Sequence, residues 1–359
     1  MSAASALNRS SDFLRHFWHP VCTLREIERR NPSGAGPIGA RLLGEDLVVA
    51  KLDGRFVALR DRCAHRSAKP SLGKVTEAGI QCPYHGWVYD AQGRCVRIPA
   101  CPQGPIPSRA RLEAFECGVQ YGIVWVRLDS TLGVTRIPYC SPWGDARYRV
   151  VIDEPSTWAT TPARRWENFT DLSHFAFVHP YTLFDPDFPV PPIVPVDRVE
   201  GELRWNYDPP AEVAARIDKR ANLGPARYRC SMPFTVNVEF QRFADQTRHV
   251  LWMTSSPVAE GLCRTFYIFA RERDRDGSDE PYLEFQHKVF EEDRPVIESQ
   301  SPAEIAADEI GVPTDKVSVR YRQWLRELER AAAEGAAAFR ACLYTDRLET
   351  AEARQGVSL

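Results

Sequence analysis

Long apolar runs are missing from this chain: no stretch approaches the roughly 18 residues that a membrane-spanning helix needs, so no membrane partner is expected. The opening residues, MSAASALNRSSDFLRHFW, lack the apolar core of a secretory signal, and the expected location is the cytoplasm. An excess of charge is missing too. With 46 basic and 48 acidic residues the formal net charge is -2, which leaves no basic field for nucleic acid and no polybasic patch for an anionic bilayer. No internal repeat is evident. What is present is an ordinary globular composition, 43% hydrophobic and 26% charged over 359 residues, enough for two cored domains that fold without disulfides. Small molecules or proteins are the expected partners. The ten cysteines, in a large intracellular chain, read as thiols or metal ligands, and only two of them are spaced with histidines.

Two textures divide the chain. Residues 41–60, RLLGEDLVVAKLDGRFVALR, alternate apolar and polar positions around LDGRF and predict a hairpin. Short strands recur at QCPYHGWVYDAQGRCV and YGIVWVRL, so the first part reads as a small β domain rich in turns. The proline-rich stretches 100–110 and 185–197 are irregular connections. Beyond them, CSMPFTVNVEF, RHVLWMTSSPV and CRTFYIFARER predict a curved antiparallel sheet, flanked by helices at 163–179, 281–298 and 319–342. The expected fold class is α+β: an all-β domain over 1–150, then an α+β domain over 151–359.

The stretch CAHRSAKPSLGKVTEAGIQCPYH carries Cys63-x-His65 and Cys82-x-x-His85. Structural zinc sites pair Cys with Cys on one knuckle and His with His beyond it, whereas here each knuckle mixes them. Two sulfurs for one iron and two imidazoles for the other suit a [2Fe-2S] cluster, with zinc as the alternative. On these four residues the chain resembles the Rieske proteins. In the respiratory and photosynthetic members a disulfide ties the two loops and a serine hydroxyl donates to a bridging sulfide. The matching positions here are Ala68 and Tyr84, and Trp87, so both devices are missing, while the motif's tyrosine is kept as Tyr89. Fewer hydrogen bonds to sulfur place the expected potential at the low end of the Rieske range, roughly -150 mV. Such a cluster takes electrons from an NAD(P)H-fed reductase, and an electron carrier would need this domain alone.

The second half holds RRWENFTDLSHFAFVHP, residues 164–180. On one helix Asn168, Asp171 and His174 would follow at i, i+3 and i+6, drifting about 60° per step and sharing a face. Pro180 should end that helix and let His179 swing back toward His174. Two imidazoles converging on a point begin a non-haem Fe(II) site, which adds one carboxylate and leaves positions open for oxygen. In PYLEFQHKVFEEDRPVIESQ, residues 281–300, Tyr282, Phe285, Val289, Phe290, Val296 and Ile297 have helical spacing and Asp293 falls on their face, where a buried carboxylate asks for a cation. Pro295 should kink or end the helix just beyond, and Glu291 and Glu292 turn toward solvent.

These segments resemble the Rieske non-haem iron oxygenases, in which an Asn or Glu precedes D-x-x-H-x(4)-H and a late helix carries a ligating aspartate. The compact length is similar to the vanillate O-demethylase and phthalate dioxygenase group, with aminopyrrolnitrin oxygenase a further relative. The resemblance implies a helix-grip-like catalytic domain, with Cys63, His65, Cys82 and His85 on the cluster and His174, His179 and Asp293 on mononuclear Fe(II). It implies a homotrimer in which Asp171 bridges His85 of one copy to His174 of the next, and Asn168 near the iron. A ferredoxin or flavin reductase would pass electrons from NAD(P)H, and O2 would hydroxylate or demethylate a small aromatic or heteroaromatic substrate. Arylamine N-oxygenation and cis-dihydroxylation are alternatives on the same framework, and a non-catalytic electron carrier is the alternative of another class. The expected pocket wall is Leu183, Phe184, Phe234, Asn237, Trp252, Phe266, Gln286 and Phe290, with Arg242 or Arg248 as partners for a substrate carboxylate.

Overall fold

The computed structural model describes residues 9–348 apart from 33–34, 134, 181, 184–185, 188–190, 209–222, 243–244, 302–304 and 306–307. It divides into two compact units, Met1–Ile137 with Ser256–Glu260, and Pro138–Ser255 with Gly261–Leu359. The division falls at Ile137 rather than at 150. The intervening segment bonds within the second unit: Tyr139 O accepts from Trp252 Nε1 at 3.0 Å, and Ser141 N donates to Asn237 Oδ1 at 3.1 Å.

The first unit is built of β1 (His19–Thr23), α1 (Leu24–Arg30), β2 (Ile38–Leu42), β3 (Glu45–Leu52), β4 (Arg55–Arg60), β5 (Lys74–Thr76), β6 (Gly79–Gln81), β7 (Val88–Tyr89), β8 (Cys95–Arg97), β9 (Ala114–Gln120) and β10 (Ile123–Arg127). A six-stranded antiparallel sheet runs β1-β10-β9-β4-β3-β2, and a four-stranded sheet runs β5-β6-β7-β8. Asp53 and Gly54, with φ of 48° and 77°, make the tight turn between β3 and β4 that the DG pair predicts. The alternation expected there fails in the middle of β3. Leu47 and Val49 enter one core and Val48 and Ala50 another, so both faces are covered and the strand reads as a continuous apolar run. The second of these cores also contains Cys63 and Cys82.

The second unit holds β11 (Arg149–Ile152), β12 (Ser156–Trp158), α2 (Pro162–Thr170), α3 (Phe175–Val178), β13 (Asp197–Val199), β14 (Glu202–Tyr207), β15 (Leu223–Ser231), β16 (Thr235–Arg242), β17 (Arg248–Ala259, as far as Ser255), β18 (Leu262–Arg271), α4 (Glu280–Ile297), α5 (Lys316–Glu334) and α6 (Ala336–Tyr344). The strands form an eight-stranded antiparallel sheet ordered β11-β18-β17-β16-β15-β14-β13, with β12 also on β18. The strand expected over CSMPFTVNVEF is cut by a turn at Met232–Phe234, so it supplies the end of β15 and the start of β16. The helix expected over 319–342 is two helices, because Gly335 takes φ 107°, a backbone that helical residues do not adopt. Of the proline-rich stretch 185–197, residues 185 and 188–190 lie outside the described residues, and 191–196 carry no regular structure.

One correction bears directly on function. The single helix expected over 163–179 is broken. α2 starts on an N-cap, Thr161, whose side chain accepts from Arg164 N at 3.3 Å, and Pro162 sits in the first turn. It ends at Asp171, which leaves the helical region with ψ 122° and accepts the Ser173 N–H at 2.7 Å. That local side-chain bond competes with the helix ladder, as Asp does at turns. α3 then runs for one turn, with His174 at its N-cap and His179 at its C-cap.

Candidate metal centres

In the first unit each Cys-His pair sits in the same kind of turn. Cys63 O accepts from Ser67 N and Cys63 N donates to Ala68 O, while Cys82 O accepts from Gly86 N and Cys82 N donates to Trp87 O. Ser67 and Gly86 hold matching positions with φ of 58° and 71°, so a left-handed residue closes both loops. The two thiols are buried. The imidazoles lie at the exposed edge with His65 Nδ1 3.1 Å from His85 Nδ1, and His65 is stacked on Trp87 at 4.7 Å. Tyr89 OH lies 3.1 Å from Cys63 Sγ and accepts the Ala64 N–H at 3.1 Å. Burial, reinforced by Cys63, holds the Tyr89 phenol well above its ordinary range, so it stays a donor. Two sulfurs facing inward and two Nδ1 atoms facing one another are the donor set of a mixed-ligand [2Fe-2S] cluster.

In the second unit His174, His179 and Asp293 bring their ligand atoms within 4.8 Å of one another. Asp293 comes from α4, and its Oδ1 lies 3.4 Å from His174 Nε2 and 3.1 Å from His179 Nε2. The break at Asp171 lets this happen. Because His174 and His179 flank a one-turn helix rather than continue a long one, both rings face the same carboxylate oxygen. Asn168, Asp171 and His174 are therefore neighbours across a turn and do not share one helix face as the spacing predicted.

Carboxylates brace both rings from behind. His174 Nδ1 is 3.3 Å from Asp171 Oδ2, and His179 Nδ1 is 2.7 Å from Glu292 Oε2. A ring that gives its Nδ1–H to a carboxylate keeps an Nε2 lone pair for a metal. Glu292 corrects the expectation that it faces solvent. One helical step from Asp293, it sits at the margin of the apolar face and reaches His179, and also accepts from Thr182 Oγ1 at 3.2 Å. Glu291 does stay outside, paired with Arg294. Burial opposes ionisation of Asp293, but bonds from His174 and His179 and the charge of Arg165 outweigh it and hold the carboxyl far below its ordinary range. Burial would likewise lower His174, yet Asp171 and Asp293 push it up to about 8. The same imidazole, with the Ser173 N–H, keeps Asp171 below the usual carboxylate range in spite of its burial.

Asn168 donates Nδ2–H to Asp293 Oδ1 at 2.8 Å and is 3.5 Å from His174. Arg165, on α2, bonds to Asn168 Oδ1 and lies 3.6 Å from Asp293 Oδ2. Sequence reasoning missed it, because an arginine in a helix reads as a solvated charge and nothing in the spacing marks it as buried. Three carboxylates, one guanidinium and two imidazoles converging with open space in front fit a divalent cation of the two-histidine, one-carboxylate kind.

That space is a cavity of about 70 Å³. Tyr228, Val238 and Leu251 form a row across β15, β16 and β17 on its sheet side, joined by Phe240 and Met253. Phe285, Gln286, Val289 and Phe290 of α4 and Leu183 face them. Leu183, Gln286 and Phe290 are where the sequence placed them, and Phe184 lies outside the described residues. Asn237 and Trp252 are not in the wall. Successive strand residues alternate faces, and both point away, bonding to Ser141 and Tyr139. Phe234 and Phe266 do not line the cavity either. Arg242 and Arg248 are held by Asp245 and Glu239, and no lysine or arginine is among the described lining.

Residues 17–116 match the Rieske [2Fe-2S] domain family, and residues 158–331 match the vanillate O-demethylase oxygenase C-terminal domain family. The chain is 52% identical over 344 residues to the methylxanthine N1-demethylase NdmA of Pseudomonas putida, covering 96% of this chain and 97% of that one. It is 51% identical over 341 residues to the N3-demethylase NdmB of the same species, covering 94% and 96%. The solved structure of NdmA with caffeine superposes with a TM-score of 0.93 at 51% identity, over 96% of this chain and 99% of that one.

Proposed function

Since the chain belongs to the Rieske non-haem iron oxygenases, we propose that it removes an N-methyl group from a neutral, planar heteroaromatic molecule of the methylxanthine class. As a member of that family it is a terminal oxygenase with a Rieske [2Fe-2S] cluster and a mononuclear iron, supplied with electrons from NAD(P)H through a reductase. No helix among the described residues is long and apolar enough to cross a membrane. In this reading Cys63, Cys82, His65 and His85 hold the cluster, and His174, His179 and Asp293 hold Fe(II). The iron supplies O2 activation. The protein's part is to hold the methyl group before the triad, keep bulk water out with Phe285, Phe290 and Val289, and fix the substrate's orientation.

The observation that carries the substrate class is the cavity wall. A methoxybenzoate would bury its carboxylate with no lysine or arginine of the described lining to pair with it, which is costly. A neutral heteroaromatic needs only ring surface and a hydrogen bond or two. Gln286 lines the cavity with an amide that makes no hydrogen bond among the described residues, and it can donate to a ring carbonyl or accept from a ring N–H. The names of the relatives NdmA and NdmB point to the same chemistry. The balance is one methyl C–H hydroxylated by O2 with two electrons and two protons, releasing water. The N–CH2OH product then collapses to N–H and formaldehyde.

The same reading includes a homotrimer. Asp171, His174 and Glu167 also line a second hollow of about 560 Å³, rimmed by the exposed side chains of Val296, Ile310 and Val319. An apolar rim around an electron-transfer residue suits the cluster edge of another copy, with His85 meeting Asp171.

The test is O2 uptake with formaldehyde release, in the presence of a reductase, for N-methylxanthines against methoxybenzoates. Equimolar formaldehyde from the xanthines alone is expected. Faster turnover of a methoxybenzoate, or oxygenated product without formaldehyde, would overturn the substrate assignment.

A further inference from the structure

Among the described residues of the second unit Arg165 is the most deeply buried charge, with 0% of its surface exposed. Its guanidinium is clamped between the rings of Trp158 and Phe169, each 3.7 Å away, with Phe290 at 5.4 Å. Nε and Nη2 have no hydrogen-bond partner, so its polar reach is concentrated in Nη1. That one nitrogen bonds to Asn168 Oδ1 and lies 3.6 Å from Asp293 Oδ2. A guanidinium that only filled space would be replaced to advantage by an apolar side chain, because burying a cation with two idle donors is expensive. Its placement makes sense through what it does to Asp293.

The two oxygens of that carboxylate are sorted. Oδ1 faces both histidine Nε2 atoms and takes the Asn168 Nδ2–H, whereas Oδ2 faces Arg165. The bond to Asn168 Oδ1 also decides which end of that amide meets Asp293. We propose that Arg165 is a positioning residue that occupies Oδ2 and leaves Oδ1 alone to bind the metal, so that the carboxylate takes one coordination position and a second stays open. Removing the guanidinium frees Oδ2 to chelate and close the open position.

This inference rests on reading His174, His179 and Asp293 as the iron site. The test therefore uses a readout other than turnover: holoprotein stripped of its mononuclear iron by chelation, loaded with Co2+, and titrated with azide under EPR with the cluster oxidised and silent. Arg165→Met fills the slot between the rings without the charge, and Arg165→Lys keeps the charge without the planar fork. Azide is expected to bind the wild-type and Arg165→Lys proteins alike and Arg165→Met at least about tenfold more weakly, with the visible absorption of the oxidised cluster unchanged in all three. Azide affinity of Arg165→Met within twofold of wild type would overturn the proposal. If Arg165→Met does not fold, Arg165→Lys decides: a tenfold loss there shows that a cation at this place does not hold Oδ2. Failure of the wild-type protein to take up Co2+ would instead remove the metal-site reading itself.

Discussion

The two centres solve opposite problems with similar ligands. At the cluster loops the backbone does the positioning: two matched turns, closed at Ser67 and Gly86, set each Cys-His pair, and the imidazoles lie at an exposed edge with no carboxylate of their own chain behind them among the described residues. At the triad the side chains do it. His179 is 1% exposed and Asp293 3%, the ligands come from segments 114 residues apart, and Asp171, Glu292, Asn168 and Arg165 brace them. An electron needs only a short path through an exposed ring. Oxygen chemistry needs a fixed, partly vacant coordination sphere shielded from water, and only a tertiary shell holds that.

The contrast can be broken first where it is strongest. His179→Ala should lower iron content by about one per chain and abolish formaldehyde release, while the EPR of the reduced cluster stays as it was. Continued turnover would show that the triad is not the reactive site. Glu292→Ala should weaken Fe(II) binding by about 10–100-fold, read by competition with a ferrous chelator, since it frees the His179 ring. The exposed cluster histidines offer no equivalent carboxylate. Unchanged iron affinity would mean that the bracing is ornamental.

A smaller effect tests the other side. Tyr89→Phe removes a donor near Cys63 Sγ that favours the reduced cluster. At about 1 kcal/mol for the bond, the potential should fall by about 40 mV in redox titration, with the iron site unaffected. A rise in potential would refute the donor role.

A further comparison concerns the units and not their metals. Burial, against the bond to Leu14 O, pulls His19 down to about 4, and burial does the same to His249 in the second unit. An unfolded histidine titrates near 6.5, so the unfolded chain binds the extra proton between about pH 6.5 and 4. Stability is therefore present above 6.5 and lost as pH falls through this window, at about 1.4 kcal/mol per pH unit for each fully buried ring. His19→Gln should flatten the acid limb of denaturant unfolding for the first unit. An unchanged limb would show that His19 does not contribute.

How much could be read from the sequence differs between the centres for the same reason that their geometry differs. The cluster pairs were legible because each lies within a few residues and its spacing is a property of a turn. Asp293 was legible as a carboxylate on an apolar helix face. Glu292 was not, because one helical step from that face gives either solvent or a bracing contact. Asn237 and Trp252 were assigned to the cavity on residue type, whereas strand parity gave the wall to Val238, Leu251 and Met253. The helix break at Asp171 was also missed, since the spacing of 168, 171 and 174 fits an unbroken helix as well as a turn.

The sequence by itself determined the donor types, the local turns and the apolar faces, because these depend on neighbours a few bonds or one helical turn away. Only the packing in space brings His174 and His179 to Asp293 Oδ1, sets a buried arginine 3.6 Å from Oδ2, and leaves the described lining of the cavity before them without lysine or arginine. Those facts depend on the packing of α2, α3, α4 and the sheet in space, where distance along the chain no longer says what is near.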